Sequence, residues 1–142
     1  MSKPAVRFVE PESVGEREWG EEILLVLAPG KYTGKMLKIK AGAGGGLQFH
    51  RLKDETSYVL QGEYEFTYDD GSGKLVKVVC GPGSCVQIPP GAVHQGIALT
   101  DCVIIEFSTP HFNDRVNVSE EYGLLPSAGS LPTTTRDEIE CR

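Results

Sequence analysis

Residues 42–66 read GAGGGLQFHRLKDETSYVLQGEYEF. Three readings compete: a glycine-rich loop that cradles phosphate, a metal site, or a turn between two strands. A phosphate loop of the GxxxxGK[ST] kind needs Lys, then Ser or Thr, directly after its last glycine. Leu47 and Gln48 stand there instead. A dinucleotide fingerprint needs a third spaced glycine and then a helix whose N-terminus meets the pyrophosphate. The glycines run instead into LQFHRL, which alternates in the manner of a strand. They therefore read as a loose turn entering a strand.

Outward from this stretch, short β-rich runs alternate with turn residues. Candidate strands lie at 21–27, 34–40, 46–50, 56–60, 63–68, 74–80, 84–88, 96–100 and 102–108. Several have period two, as Tyr64, Phe66 and Tyr68 do against Glu63, Glu65 and Thr67. DDGSG at 69–73 predicts a hairpin loop, and QG at 61–62 a tight turn. No amphipathic helical pattern of useful length precedes residue 110. Many short strands with regular turn signals predict an all-β sandwich or barrel. Beyond Pro110 the chain turns polar, and SAGSLPTTTRDEIECR reads as an extended tail or a short helix.

The 142 residues fit one domain with a real core. Net charge is −6 and no stretch clusters Lys and Arg, which argues against a nucleic-acid or anionic-membrane surface. The first twenty residues have no apolar h-region, and no apolar run approaches the ~20 residues of a membrane span. Cys80, Cys85, Cys102 and Cys141 form no CxxC pair, so zinc-ribbon and thioredoxin-like readings fail. Reduced structural thiols in a cytoplasmic protein are the expectation.

Side chains two apart on a strand share a face, so Gln48 and His50 point together. Glu55 opens the next candidate strand, and hairpin geometry would bring its carboxylate beside them. The turn at PPG (89–91) sets His94 at the head of another strand. Two imidazoles, one carboxylate and one amide oxygen form a mixed N/O set, suited to a divalent Zn, Mn, Fe, Ni or Co ion. Each histidine taken alone reads as readily as a packing or surface residue.

The spacing of these residues resembles the cupin superfamily in both of its motifs. The first reads Gly42, five residues, Gln48-Phe49-His50, four residues, Glu55, six residues, Gly62. The second reads Gly83, five residues, Pro89-Pro90-Gly91, two residues, His94, with Ala98 where the motif has Asn. The resemblance implies a jelly-roll barrel over residues 30–110, with N-terminal strands from 1–29 packing on it and a C-terminal extension at 111–142. It also implies a metal held by Gln48, His50, Glu55 and His94, and a homodimer paired through its sheets.

Gln48 stands where most cupins place a histidine. That pattern resembles the C-terminal barrel of type II mannose-6-phosphate isomerases, as do EWGEE around Trp19 and the closing run VIIEFSTPHFNDRVNVSEEYGL. The closing arginine of that family is Leu124 here. The implied substrate is a small molecule, a carbohydrate or sugar phosphate, and the implied chemistry is Lewis-acid isomerisation. With Glu55 occupied as a ligand, a second base is needed, and Glu106 is the candidate beside an ordinary strand-edge reading. Lys38 is a candidate substrate contact on an otherwise solvated strand face. Ser57 shares a face with Glu55 and is a candidate for the cavity wall. Two alternatives use the same residues: a non-haem metal dioxygenase and a non-catalytic sugar- or effector-binding protein.

Overall fold

A computed structural model of the chain describes residues 2–112 and 114–124; the polar tail at 127–142, Cys141 included, lies outside the described residues. The described residues form eleven strands: β1 (Glu12–Arg17), β2 (Gly20–Ala28), β3 (Tyr32–Ile39), β4 (Gln48–His50), β5 (Glu55–Gln61), β6 (Tyr64–Asp69), β7 (Leu75–Cys80), β8 (Cys85–Ile88), β9 (His94–Ala98), β10 (Cys102–Ser108) and β11 (Arg115–Asn117). A single 3-10 turn lies beyond them at Ser119–Tyr122. Among the described residues, no helix is long and apolar enough to cross a membrane.

All pairings are antiparallel, in two sheets ordered β1-β2-β3-β10-β5-β8 and β11-β4-β9-β6-β7. From β3 to β6 each step along the chain crosses from one sheet to the other, as does each step from β7 to β11, and the result is a jelly-roll barrel. Alternation explains which faces turn inward. In β9 the burial runs buried, half-buried, buried, half-buried, buried from His94 to Ala98. Ile39, Val59, Phe66, Cys80, Ile88, Ala98, Cys102 and Ile104 meet between the sheets as the core, with Trp19, Leu37 and Tyr64 packed against them. Cys80 and Cys102 are buried free thiols.

Close approach dictates glycine at several positions, Gly20 and Gly96 among them. Gly20 has φ +145°, and a Cβ there would lie 1.8 Å from the Lys38 carbonyl oxygen. That contact lets the β1–β2 turn hug β3 and carry Trp19 to the barrel rim. A Cβ on Gly96 would lie 1.9 Å from the Tyr64 hydroxyl, so this position leaves room for the phenol inside the barrel.

Two expectations about the fold need correction, and two strands lie outside the runs expected from the sequence. The strand expected at 96–100 begins two residues earlier, at His94, because the turn after Pro89 is closed by the Ala92 N–H to Pro89 carbonyl bond. β1 and β11 are polar strands without period-two apolar signals, and pairing to a neighbour rather than propensity makes them strands. The β4–β5 connection is not a hairpin, since β4 and β5 belong to opposite sheets. Asp114 makes that crossing possible: its Oδ2 accepts the Leu52 and Lys53 N–H groups at 2.8 and 2.7 Å.

Candidate metal centre

β4, β5 and β9 bring His50, Glu55 and His94 together in the barrel interior. His50 Nε2 lies 3.5 Å from Glu55 Oε1, and His94 Nε2 lies 3.4 Å from the same oxygen. Ligand atoms bound to one ion at ~2.0–2.2 Å sit about 3.0–3.6 Å from one another, so these distances suit a shared cation. His50, Glu55 and His94 are all buried, and their donor atoms lie within 4.8 Å of one another.

The second nitrogen of each imidazole is already engaged. His50 Nδ1 sits 3.0 Å from Asp114 Oδ1, and His94 Nδ1 sits 3.0 Å from the Ala92 carbonyl oxygen. Both acceptors require Nδ1–H, which leaves both Nε2 lone pairs facing Glu55 Oε1. Burial, with help from the Lys53 charge, lowers the His50 pKa below its ordinary value and keeps the ring neutral. Gln48 lines the same cavity, and its Oε1 is buried with no hydrogen-bond partner. An orphaned carbonyl oxygen beside two free imidazole nitrogens and a carboxylate fits a divalent ion, because bare oxygen acceptors are costly to bury.

A charged wall faces this group. Lys53 Nζ lies 2.8 Å from Glu55 Oε2 and 3.5 Å from Glu106 Oε2. Although burial opposes it, the Lys53 charge holds Glu55 well below the usual carboxylate range. Burial has the opposite outcome at Glu106, whose pKa is pushed up to about 7, with the Glu55 charge adding to the effect. Lys35 and Glu22 form a buried ion pair at 2.8 Å on the same wall. Arg115 also lines the cavity, its neighbour across the β11–β4 pair being His50.

The sequence-derived residues distribute unevenly. Gln48, His50, Glu55, Ser57, His94 and Glu106 all line one cavity of about 120 Å³. Glu55 arrives from the opposite sheet, across the barrel, rather than along a hairpin. Lys38 does not reach the cavity: its side chain is 54% exposed and its amine sits 4.0 Å from Glu21. In β3 the inward phase is Lys35, Leu37 and Ile39, which places Lys38 outside and Lys35 inside. Lys35 was therefore legible from its phase with Leu37. Asp114, Arg115 and Lys53 carried no such signal. A larger cleft of about 760 Å³ lies beside β2 and residues 109–112 and does not border the His–Glu–His group.

Asp114 yields a direct test. Its two oxygens accept from different donors, so in Asp114→Asn the amide nitrogen must face either His50 or the 52–53 backbone with the wrong polarity. Loss of such an outer-shell partner is expected to weaken metal affinity by about 10–100-fold, read by competition against a chromophoric chelator.

Among curated proteins, none matches the chain. Solved structures do resemble it. KdgF from Halomonas sp. superposes with a TM-score of 0.60 at 22% identity, over 72% of this chain and 89% of that one. An RmlC-like cupin from Shewanella frigidimarina NCIMB 400 gives 0.59 at 22% identity, over 74% and 86%. The capsular polysaccharide assembling protein CapF from Staphylococcus aureus gives 0.63 at 20% identity, over 82% of this chain and 33% of that one. At such identities the likeness speaks for the fold alone. The cupin domain family model matches residues 35–108, the segment that contains both motifs and every ligand candidate. On that match, and on a jelly roll whose interior gathers those same residues, the chain belongs to the cupin family.

Proposed function

We propose that this cupin is a metal-dependent isomerase of a sugar or a sugar-derived hydroxy-carbonyl compound. Gln48, His50, Glu55 and His94 would hold one divalent ion (Zn, Mn, Fe, Ni or Co). When bound, the ion supplies Lewis-acid polarisation of the substrate's carbonyl and hydroxyl oxygens. The observation that carries the reading is the pairing of that ligand set with a second carboxylate, Glu106, in the same cavity.

The chain's own residues divide the remaining work. Glu106, as carboxylate, takes the proton from the hydroxyl-bearing carbon and returns it to the former carbonyl carbon. The hydroxyl proton passes in the same sense, from the hydroxyl oxygen to the former carbonyl oxygen, so the reaction consumes no oxidant and leaves no group behind. Lys53 bridges Glu55 and Glu106 and fixes the base against the ligand set. Its pKa lies above the ordinary lysine value, chiefly through the Glu106 and Glu55 charges acting against burial, so it stays a cation. Ser57 stands opposite Glu106 in the β10–β5 register and offers a hydroxyl to the same space. The sugar reading follows the resemblance of the sequence around Gln48 to the isomerase barrel; CapF, which shares the fold, is by name a capsular polysaccharide assembling protein. A cytoplasmic homodimer acting on a small molecule is part of the same reading.

A second reading has one observation in its favour: His50, His94 and Glu55 alone make the two-His-one-carboxylate triad of non-haem iron oxygenases. The test is metal-loaded protein incubated in D2O with a panel of aldoses and ketoses. Deuterium entering the carbon next to the carbonyl supports the isomerase. Oxygen uptake with Fe(II), without deuterium entry, replaces it with the oxygenase. Stoichiometric metal with neither reaction leaves a binding protein.

A further inference from the structure

We infer that the metal cavity is only half of the substrate site, and that a groove beyond Trp19 receives a neutral polyhydroxylated chain. This rests on the sugar reading above and names the form of the sugar.

The cavity around His50, Glu55 and His94 measures about 120 Å³. That is roughly four waters at ~30 Å³ each, and below the ~300–1,000 Å³ of ordinary small-molecule pockets. It accommodates the hydroxy-carbonyl end of a sugar and not the rest. On the far side of Trp19 lies a groove of about 660 Å³, bordered by Glu18, Lys40 and the glycine run at 42–45. Trp19, Gly45 and Gln95 line both spaces and so form the neck between them.

The neck is built to pass a chain. A Cβ on Gly45 would meet nothing within 4 Å, so the missing side chain is what leaves the passage open. Gln95 is anchored beside it, its Nε2 donating to the Gly45 carbonyl oxygen at 2.9 Å. Trp19 Nε1 is buried without a hydrogen-bond partner, a donor ready for a substrate oxygen. The glycine run is a fixed lip. Gly42 N–H donates to the Ala98 carbonyl, Gly45 N–H to the Gly96 carbonyl, and Ala98 N–H to the Ala43 carbonyl. A Cβ on Gly44 would come within 2.4 Å of the Gly96 oxygen, so the lip lies directly on β9.

The groove offers a phosphate no net charge. One acid, Glu18, and one base, Lys40, border the groove and cancel. An indole, an amide and bare backbone suit the mixed C–H and hydroxyl surface of an unphosphorylated sugar.

The experiment is a chain-length series of unphosphorylated aldoses, from glyceraldehyde to hexoses, bound to the metal-loaded protein. Trp19 is the sole tryptophan, so its emission reads binding at the neck directly. Affinity is expected to rise about tenfold or more from three to six carbons, and hexose 6-phosphates are expected to bind no tighter than the hexoses. Gly45→Leu should remove the length dependence while keeping metal stoichiometry. Gly45→Ala, which adds only a Cβ into open space, controls for folding. A flat length profile, no binding of any aldose, tighter binding of the phosphates, or a Gly45→Leu protein with unchanged hexose affinity would overturn the inference. Failure of the underlying metal reading is seen separately, as wild-type protein that takes up no ion.

Discussion

His94→Ala is expected to purify without metal and to lose all catalysis while remaining folded. His94 gives one of two imidazole nitrogens aimed at Glu55 Oε1, and its removal leaves an incomplete set around the site. The loss should exceed the ~10–100-fold cost of disturbing an outer-shell partner. A ligand that binds only the native state at about 100 times its Kd stabilises by ~2.7 kcal/mol, worth roughly 10 °C in Tm for a chain of this size. Chelation should therefore lower the wild-type Tm by about that amount and leave the Tm of His94→Ala unmoved. Equal responses of the two proteins to chelator would show that the stabilising ion sits elsewhere.

The second large effect is expected at Glu106→Gln. The amide keeps the volume and polarity of the side chain but cannot accept a proton from carbon. General-base contributions are typically ~10²–10⁴-fold, and kcat should fall within that range with KM little changed. Metal content should be preserved, because Glu106 reaches the ligand set only through Lys53 and Glu55. A purely structural partner of Lys53 would give a different result, a lowered Tm with kcat intact. Measuring kcat, KM and Tm on the same preparation separates the two roles.

The ligand set was legible because strand periodicity is a local property. Gln48 and His50 share a face by the period of two, and the turn before His94 announces the start of its strand. Spacing could not carry the choice of sheet that each strand joins. Glu55 reads in sequence as the far arm of a hairpin and instead comes from the opposite sheet, by way of a bend held by Asp114. Asp114 lies 64 residues from the histidine it orients, and no local pattern links the two. Lys38 and Lys35 illustrate the other limit. Both are lysines among apolar residues, and only the phase of β3 relative to the core separates the exposed one from the buried one. The glycine run lacks a phosphate-loop signature in sequence, yet its place at the neck of the cavity required knowing that it lies along β9.

The central claim is that one divalent ion is held by the residues converging from β4, β5 and β9. Elemental analysis of the as-isolated protein, together with X-ray absorption at the edge of the metal found, tests it most directly. The prediction is one ion per chain with two imidazole nitrogens and the remaining ligands oxygen, lost together in His50→Ala and His94→Ala. A protein that takes up no ion, or an ion whose stoichiometry and spectrum survive both substitutions, would contradict it.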